Sequence, residues 1–218
     1  MKPWIRLLSA AVAMVCLAGL LPAEALDEAI RKDFQAGFSG DPSALDKAMK
    51  ATEEALVKNP KHAEALVWHG AATFFLCGQA YQAGDMVKGA ELWDRGLKEM
   101  ADAVLLEPEN IGVMSIRAGT LMGAARHPMM PPDMGAQLLE VAVPDNEKIL
   151  ALHKDGFANL PAGYRAELLL NIAEGWDMLG KEDKARPYFE RLGKELPDTE
   201  PGKRAAAWLE AKQKPAEK

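Results

Sequence analysis

Cysteine is scarce in this chain, with two in 218 residues. Cys16 lies in an apolar stretch at the amino terminus, and Cys77 ends the apolar run 71–77. Once the amino-terminal stretch is set aside, a single cysteine cannot form an internal disulfide. We therefore expect Cys77 to be a buried, unreactive thiol that behaves as a small hydrophobe. An intermolecular disulfide is the alternative.

An excess of basic charge is also missing, because 26 Lys and Arg residues face 32 Asp and Glu residues, a formal net charge of −6. Binding to a nucleic-acid backbone needs clustered positive charge, so we expect no nucleic-acid partner. Beyond the first 25 residues no apolar run is long enough to span a bilayer. No alternating apolar and polar run is long enough to predict a strand.

Local motifs of catalysis and metal binding are missing as well. The sequence has no His-x3-His or Cys-x2-Cys pair for zinc, no Gly-x-Ser-x-Gly motif and no glycine-rich phosphate loop. We therefore predict no cofactor and no catalytic activity. A helical enzyme of unknown class, with a site assembled from distant residues, remains an alternative.

Residues 1–25 have the three parts of a secretory signal peptide. Lys2 and Arg6 form a basic start, residues 7–21 are apolar apart from Ser9, and Ala23-Glu24-Ala25 is a small-x-small cleavage site. We predict cleavage after Ala25, a periplasmic or secreted location, and no stable membrane insertion afterwards. An uncleaved membrane anchor is the alternative.

The most informative stretch runs from Tyr164 to Pro197. Its first half has apolar residues at helical spacing, and Gly180, which tolerates the left-handed backbone that ends a helix, follows them. Its second half repeats the pattern before Pro197 stops it. The stripe residues are Leu169, Ile172, Ala173 and Trp176, then Ala185, Phe189, Leu192 and Leu196. Two such helices joined by a short turn must pack face to face.

The spacing of this hairpin resembles a tetratricopeptide repeat, a unit of about 34 residues that reads Trp-x2-Leu-Gly-x2-Tyr, Ala-x3-Phe, Pro. Here Leu169-x2-Ile172-Ala173-x2-Trp176 precedes Ala185-x3-Phe189 and Pro197. Pro60 and Pro108 mark similar joints, and the long interval between them predicts lengthened helices in the middle hairpin. The resemblance implies an all-α fold of antiparallel helix hairpins stacked as a short α-solenoid. We expect one domain over residues 26–212 and a disordered tail over 213–218.

Individual segments add detail to this expectation. Residues 63–82 are apolar nearly all round, which predicts a central, buried helix. The Gly- and Ala-rich helix 111–125 predicts tight packing against a neighbour. The prolines of 128–132 forbid a helix. We expect helices to resume near Asp133 and again after Pro144-Asp145, with a capping helix over 205–209.

In the tetratricopeptide family the first helix of each repeat lines a groove that binds a peptide or a partner helix. The resemblance implies that Ser115, Asn171, Glu174 and Asp177 are partner-binding residues, beside Val67, Ala71, Phe74, Gly119 and Leu170. For Phe74, burial against other helices is the favoured interpretation. Members that bind a terminal carboxylate use Asn with Lys and Arg, and the matching basic residues are missing here. An acidic rim at Glu174 and Asp177 favours a basic or neutral partner. The resemblance thus implies a non-catalytic scaffold or adaptor.

The segment that departs from the repeat pattern carries the rival hypothesis. His127, Met129, Met130 and Met134 cluster among prolines, and imidazole and thioether ligands suit Cu(I). A periplasmic copper-binding protein is therefore the alternative function. Methionines that fill gaps where a loop covers the core are the favoured interpretation of the same segment. His69, on the predicted central helix, is expected to be a hydrogen-bonded core histidine.

Overall fold

A computed structural model describes residues 26–213, and within that range the chain folds into α-helices, one short 3₁₀ helix (η1) and their connections. The predicted signal peptide, residues 1–25, and nearly all of the predicted tail lie outside the described residues. The elements are α1 (Glu28–Phe38), α2 (Pro42–Lys58), α3 (Ala63–Gln82), α4 (Met86–Leu106), α5 (Ile111–Ala125), α6 (Pro132–Leu152), η1 (Phe157–Asn159), α7 (Ala162–Met178), α8 (Glu182–Glu195) and α9 (Glu200–Gln213).

The helices stack as antiparallel pairs, which confirms the predicted all-α, solenoid-like fold. Each helix packs against the next one along the chain. Helix α3 also packs against α1 and α5, and α7 packs against α9. Helices α1, α3 and α5 thus lie side by side in one layer. Among residues 26–213, no helix is both apolar and long enough to cross a bilayer.

Three of the pairs share one turn, built on a glycine in the left-handed region. Gly40, Gly84 and Gly180 have φ values of 109°, 82° and 69°. In each turn the residue after the glycine donates its N–H to a carbonyl of the last helical turn, as in a Schellman motif. These bonds are Asp41 to Ala36, Asp85 to Ala80 and Lys181 to Trp176, at 2.9–3.0 Å. The left-handed backbone predicted for Gly180 is confirmed.

The three proline joints are also alike. The residue before each proline donates its N–H to the carbonyl four positions earlier, and the side chain two positions after the proline caps the next helix. The closing bonds are Asn59 to Ala55, Glu107 to Ala103 and Leu196 to Leu192. The capping bonds run from Ala65 N–H to His62, from Val113 N–H to Asn110 and from Gly202 N–H to Thr199, at 3.1–3.3 Å.

The lengths of the second helices of these three pairs increase in steps of about one helical turn. Helices α8, α2 and α4 have 14, 17 and 21 residues, and an α-helix has 3.6 residues per turn. Steps of that size leave the buried face in the same orientation. The lengthened middle hairpin, with 20 residues in α3 and 21 in α4, is therefore as predicted.

Helix α3 is the centre of the first half of the molecule. Every residue from 67 to 74 is buried, because α1, α2, α4 and α5 all pack around this helix. Its closest neighbour is α4, since Gly70 and Gly96 bring the two backbones together. A Cβ added at Gly96 would lie 2.8 Å from the Gly70 carbonyl oxygen and 2.8 Å from the Phe74 nitrogen.

The predicted break at Pro144 is wrong, because α6 runs unbroken from Pro132 to Leu152 with Pro144 inside it. Contacts made by the two residues after the proline hold this part of the helix in place. The Asp145 carboxylate accepts two bonds from the Arg117 guanidinium of α5, at 2.6 and 2.7 Å. The Asn146 side chain donates to the Ala142 carbonyl at 2.8 Å. Tertiary pairing here outweighs the loss of one backbone donor.

Helix α9 covers the end of the stack and extends beyond the predicted 205–209. The Trp208 ring stacks on Phe189 of α8, with ring centroids 4.3 Å apart. Lys212 forms an ion pair with Glu182 at 2.8 Å, which joins the end of α9 to the start of α8. Helix α8 therefore packs against both α7 and α9.

We predict that Gly96→Ala destabilises the protein by about 1–3 kcal/mol, because its Cβ forces α3 and α4 apart. Gly78→Ala is the matched control, since Gly78 is also helical but an added Cβ there meets no atom within 4 Å. The control should be neutral or stabilising by up to about 1 kcal/mol. Urea unfolding measures both values. Equal effects of the two substitutions would contradict the close contact.

Candidate functional site

A cavity of about 550 Å³ lies between α3 and α5. We refer to it as the α3–α5 cavity. Aromatic and aliphatic side chains dominate its lining, and Asp, Glu, Lys and Arg are missing among the described residues that form it. The lining residues are Phe38, Ala71, Phe74, Phe75, Cys77, Gly78, Gln79, Tyr81, Gln82, Trp93, Gly119, Thr120, Gly123, Ala124, His127 and Met130.

The cavity exists because glycines stand where side chains would otherwise fill it. At Gly78, Gly119 and Gly123 an added Cβ would meet nothing within 4 Å. The tight packing predicted from the glycines of 111–125 is therefore wrong for Gly119 and Gly123, which face open space. The alanine part of that expectation is confirmed at Ala118, which is buried.

Aromatic rings that contact one another form one wall of the cavity. The Phe38 and Phe75 rings of the lining meet at a tilt, with centroids 5.3 Å apart, and Phe38 also stacks on the buried Trp68, with centroids 6.4 Å apart. These contacts join α1 to α3. Because each ring is held by another ring, the wall is a preformed apolar surface.

Two of the predicted groove positions are not on any surface. Val67 is fully buried and Leu170 is 2% exposed, so neither can contact a partner. Ala71, Phe74 and Gly119 do line the cavity. Phe74 is nevertheless 6% exposed and packs against Trp93, with centroids 4.8 Å apart, as the favoured interpretation had it.

A polar bridge between α5 and α7 brings two of the predicted partner-binding residues together. Arg126, at the end of α5, donates to Asn171 at 3.0 Å and to the Glu174 carboxylate at 2.8 Å. Arg204 of α9 donates to the other oxygen of Glu174. The predicted acidic rim is therefore wrong at Glu174, because two guanidinium groups pair with that carboxylate.

Ser115, on α5, and Asp177, on α7, interact with other residues and do not take part in this bridge. Ser115 is hydrogen-bonded to the Tyr164 hydroxyl at the start of α7, and this bond opposes the effect of burial, which raises the pKa of Tyr164. His153 lies 3.1 Å from the same hydroxyl. The hydrogen bond that Lys212 of α9 donates to Glu182 is the main cause of the raised pKa of Lys212, and the charge of Asp177, near the end of α7, adds to it. The four predicted residues thus do not form one cluster.

The predicted copper segment lies partly at the cavity. His127 and Met130 line it, whereas Met129 is 83% exposed. The His127 Nδ1 accepts the Met129 N–H at 3.2 Å, so only its Nε2 remains for a ligand. Met134 is half-buried on the first turn of α6. Within residues 26–213 no three His, Cys, Asp or Glu side chains are arranged to hold a metal ion. The thioether hypothesis stays a prediction that a copper titration tests.

The buried histidine of α3 belongs to an ionic cluster that sequence reasoning missed. His69, 1% exposed, lies 2.7 Å from the Glu99 carboxylate, which also accepts from Arg95 at 2.8 Å. Burial acts to raise the pKa of Glu99, but the bonds from His69 and Arg95 outweigh it, so the pKa is lowered. The predicted hydrogen-bonded core histidine is confirmed. Its partner comes from α4, 30 positions along the chain, where no local signal identifies it.

A second network centred on Glu147 joins α6, α7 and α8. Its carboxylate accepts from the Trp176 indole N–H and from the Tyr188 hydroxyl, both at 2.9 Å. Burial and this bond raise the pKa of Tyr188 to about 12. The network therefore links the three helices through one carboxylate.

No family model matches the chain, and no curated protein sequence matches it.

We predict that the Cys77 thiol reacts slowly with alkylating reagents. Burial raises its pKa to about 11 from an ordinary 9.0, so the thiolate fraction at pH 8 falls about a hundredfold. Alkylation by iodoacetamide should rise about tenfold per pH unit from pH 8 to 10 in the folded protein. In urea the rate should be much higher and level off above pH 9. A plateau near pH 9 in the folded state would contradict the shift.

Proposed function

We propose that this chain is a non-catalytic scaffold or adaptor of the tetratricopeptide type, exported from the cytoplasm, that binds an apolar segment of a protein partner in the α3–α5 cavity. The observation that carries the proposal is the cavity itself. Its volume of about 550 Å³ is within the range of about 300–1,000 Å³ typical of ligand sites, and its aromatic wall is preformed.

The repeated turns and joints support the family resemblance. Three glycine turns and three proline joints make the same hydrogen bonds at corresponding positions. Repeats of this kind present one layer of helices on the concave side. The cavity lies in the layer of α1, α3 and α5, which is the layer that binds ligands in tetratricopeptide proteins.

The chemistry of the lining indicates what the partner presents. Because Asp, Glu, Lys and Arg are missing from the described lining, burial of apolar side chains supplies the affinity. His127, Gln79, Gln82 and Thr120 provide the polar groups at its surface. A short amphipathic helix or extended peptide with large apolar anchors fits this chemistry. The same lining disfavours catalysis, since perturbed carboxylates, a common feature of active sites, are missing from it.

The test uses photo-crosslinking in the cells that produce the protein. A crosslinking amino acid at Gln79, inside the cavity, should give a discrete adduct with a partner. The same amino acid at Glu190, exposed on α8, should not. Mass spectrometry of the adduct identifies the partner and the crosslinked segment.

The decisive comparison fills the cavity without disturbing the fold. Gly119→Leu should reduce the adduct at least tenfold, because its side chain projects into the open space. Gly163→Leu is the matched control, since Gly163 is also a helical glycine with nothing within 4 Å but lies outside the cavity. An adduct that persists in Gly119→Leu, or that forms equally from Glu190, would refute binding at this site.

A further inference from the structure

Leu26, the first described residue, is bound through its side chain, its nitrogen and its carbonyl group. Its side chain is 4% exposed and belongs to the hydrophobic core. Its nitrogen lies 2.8 Å from Oε2 of Glu64. Its carbonyl oxygen accepts two bonds from the Arg31 guanidinium, at 2.7 Å and 3.1 Å. Side chain, nitrogen and carbonyl are therefore all bound.

Glu64 and Arg31 bind different atoms of Leu26 and also pair with each other. The Arg31 Nε lies 3.0 Å from Oε1 of Glu64, which leaves Oε2 for the Leu26 nitrogen. Glu28 adds a second carboxylate, 3.8 Å from Nη1 of Arg31. The Glu64 side chain is 20% exposed, so solvent screens its contacts only in part. Because Glu64 lies on α3, the contact joins the beginning of α1 to the central helix.

The predicted cleavage site lies directly before this residue. Hydrolysis of the Ala25–Leu26 bond consumes one water and leaves a carboxylate on Ala25 and an α-amino group on Leu26. An α-amino group has an ordinary pKa of about 7.7–8.0 and carries a positive charge at neutral pH. The contact with the Glu64 carboxylate, until then a hydrogen bond from a neutral amide, then becomes an ion pair with a charged donor.

We propose that Glu64 and Arg31 form a binding site for the free amino terminus of the processed chain, with Glu64 pairing with the α-ammonium group of Leu26 and Arg31 fixing its carbonyl. Removal of the leader thereby strengthens the docking of α1 on α3. The proposal rests on the predicted cleavage after Ala25 and is independent of partner binding in the α3–α5 cavity.

The first measurement establishes the terminus itself. The full chain is expressed with its own leader in an exporting bacterium, and the mass of the exported protein is determined. The expected mass is that of residues 26–218, with Leu26 first and unblocked. A retained leader, or a terminus at any other residue, would overturn the proposal.

The second measurement is a double-mutant cycle on thermal unfolding. Inserting Ser-Gly between Ala25 and Leu26 moves the ammonium group two residues away from Glu64 after cleavage. We expect this to lower the Tm by about 2–4 °C. In Glu64→Gln, which keeps a neutral acceptor, the insertion should change the Tm by less than a third as much. In Glu54→Gln, an exposed control on α2, the full effect should remain.

The cycle decides between an ion pair and simple crowding at the terminus. An equal Tm loss in the Glu64→Gln background, or no loss on insertion, would refute the ammonium site. If Glu64→Gln fails to fold, selective acetylation of the Leu26 α-amine in the unaltered protein replaces it. Acetylation should then lower the Tm by a similar 2–4 °C, and an unchanged Tm would overturn the proposal.

Discussion

The close approach of α3 and α4 at Gly70 and Gly96 is the contact on which the first half of the molecule depends. Two backbones can meet this closely only where neither helix carries a side chain, so the crossing is fixed by two glycines. Once α4 is fixed, α3 presents its remaining faces to α1, α2 and α5. The cluster of His69, Glu99 and Arg95 lies beside this crossing and links α3 to α4 through the contact between His69 and Glu99.

Glycine has two opposite roles in this structure. Gly70 and Gly96 permit contact between helices, whereas Gly119 and Gly123 keep a space open between α5 and α3. Both roles use the absence of a Cβ, and only the position of the neighbouring helix distinguishes them. The same central helix therefore combines a tightly packed face with a face that leaves an apolar cavity available to a ligand.

The sequence predicted most of the fold because helix periods, turn glycines and joint prolines are local signals. The bounds of 63–82 and 111–125, the turn at Gly180 and the lengthened middle hairpin all follow from short stretches of sequence. Pro144 was mispredicted since its helix is held by Arg117, which lies far away along the chain. The site was less predictable for the same reason. Arg126 contacts Asn171 and Glu174, which lie 45 and 48 positions further along the chain, and no local motif indicates such a contact.

The lengths of the second helices have a consequence for how such an array can change. Between α2 and α4 four residues are added, which corresponds to about 6 Å of helix at 1.5 Å per residue. Because the addition approximates one full rotation, it displaces the following joint along the axis while preserving which residues point inward. An insertion of one or two residues would instead rotate the stripe towards solvent. Lengthening a helix by one whole turn therefore preserves its packing. Each hairpin can in this way reach its own length, and the spaces between hairpins can differ in size while the helices remain stacked.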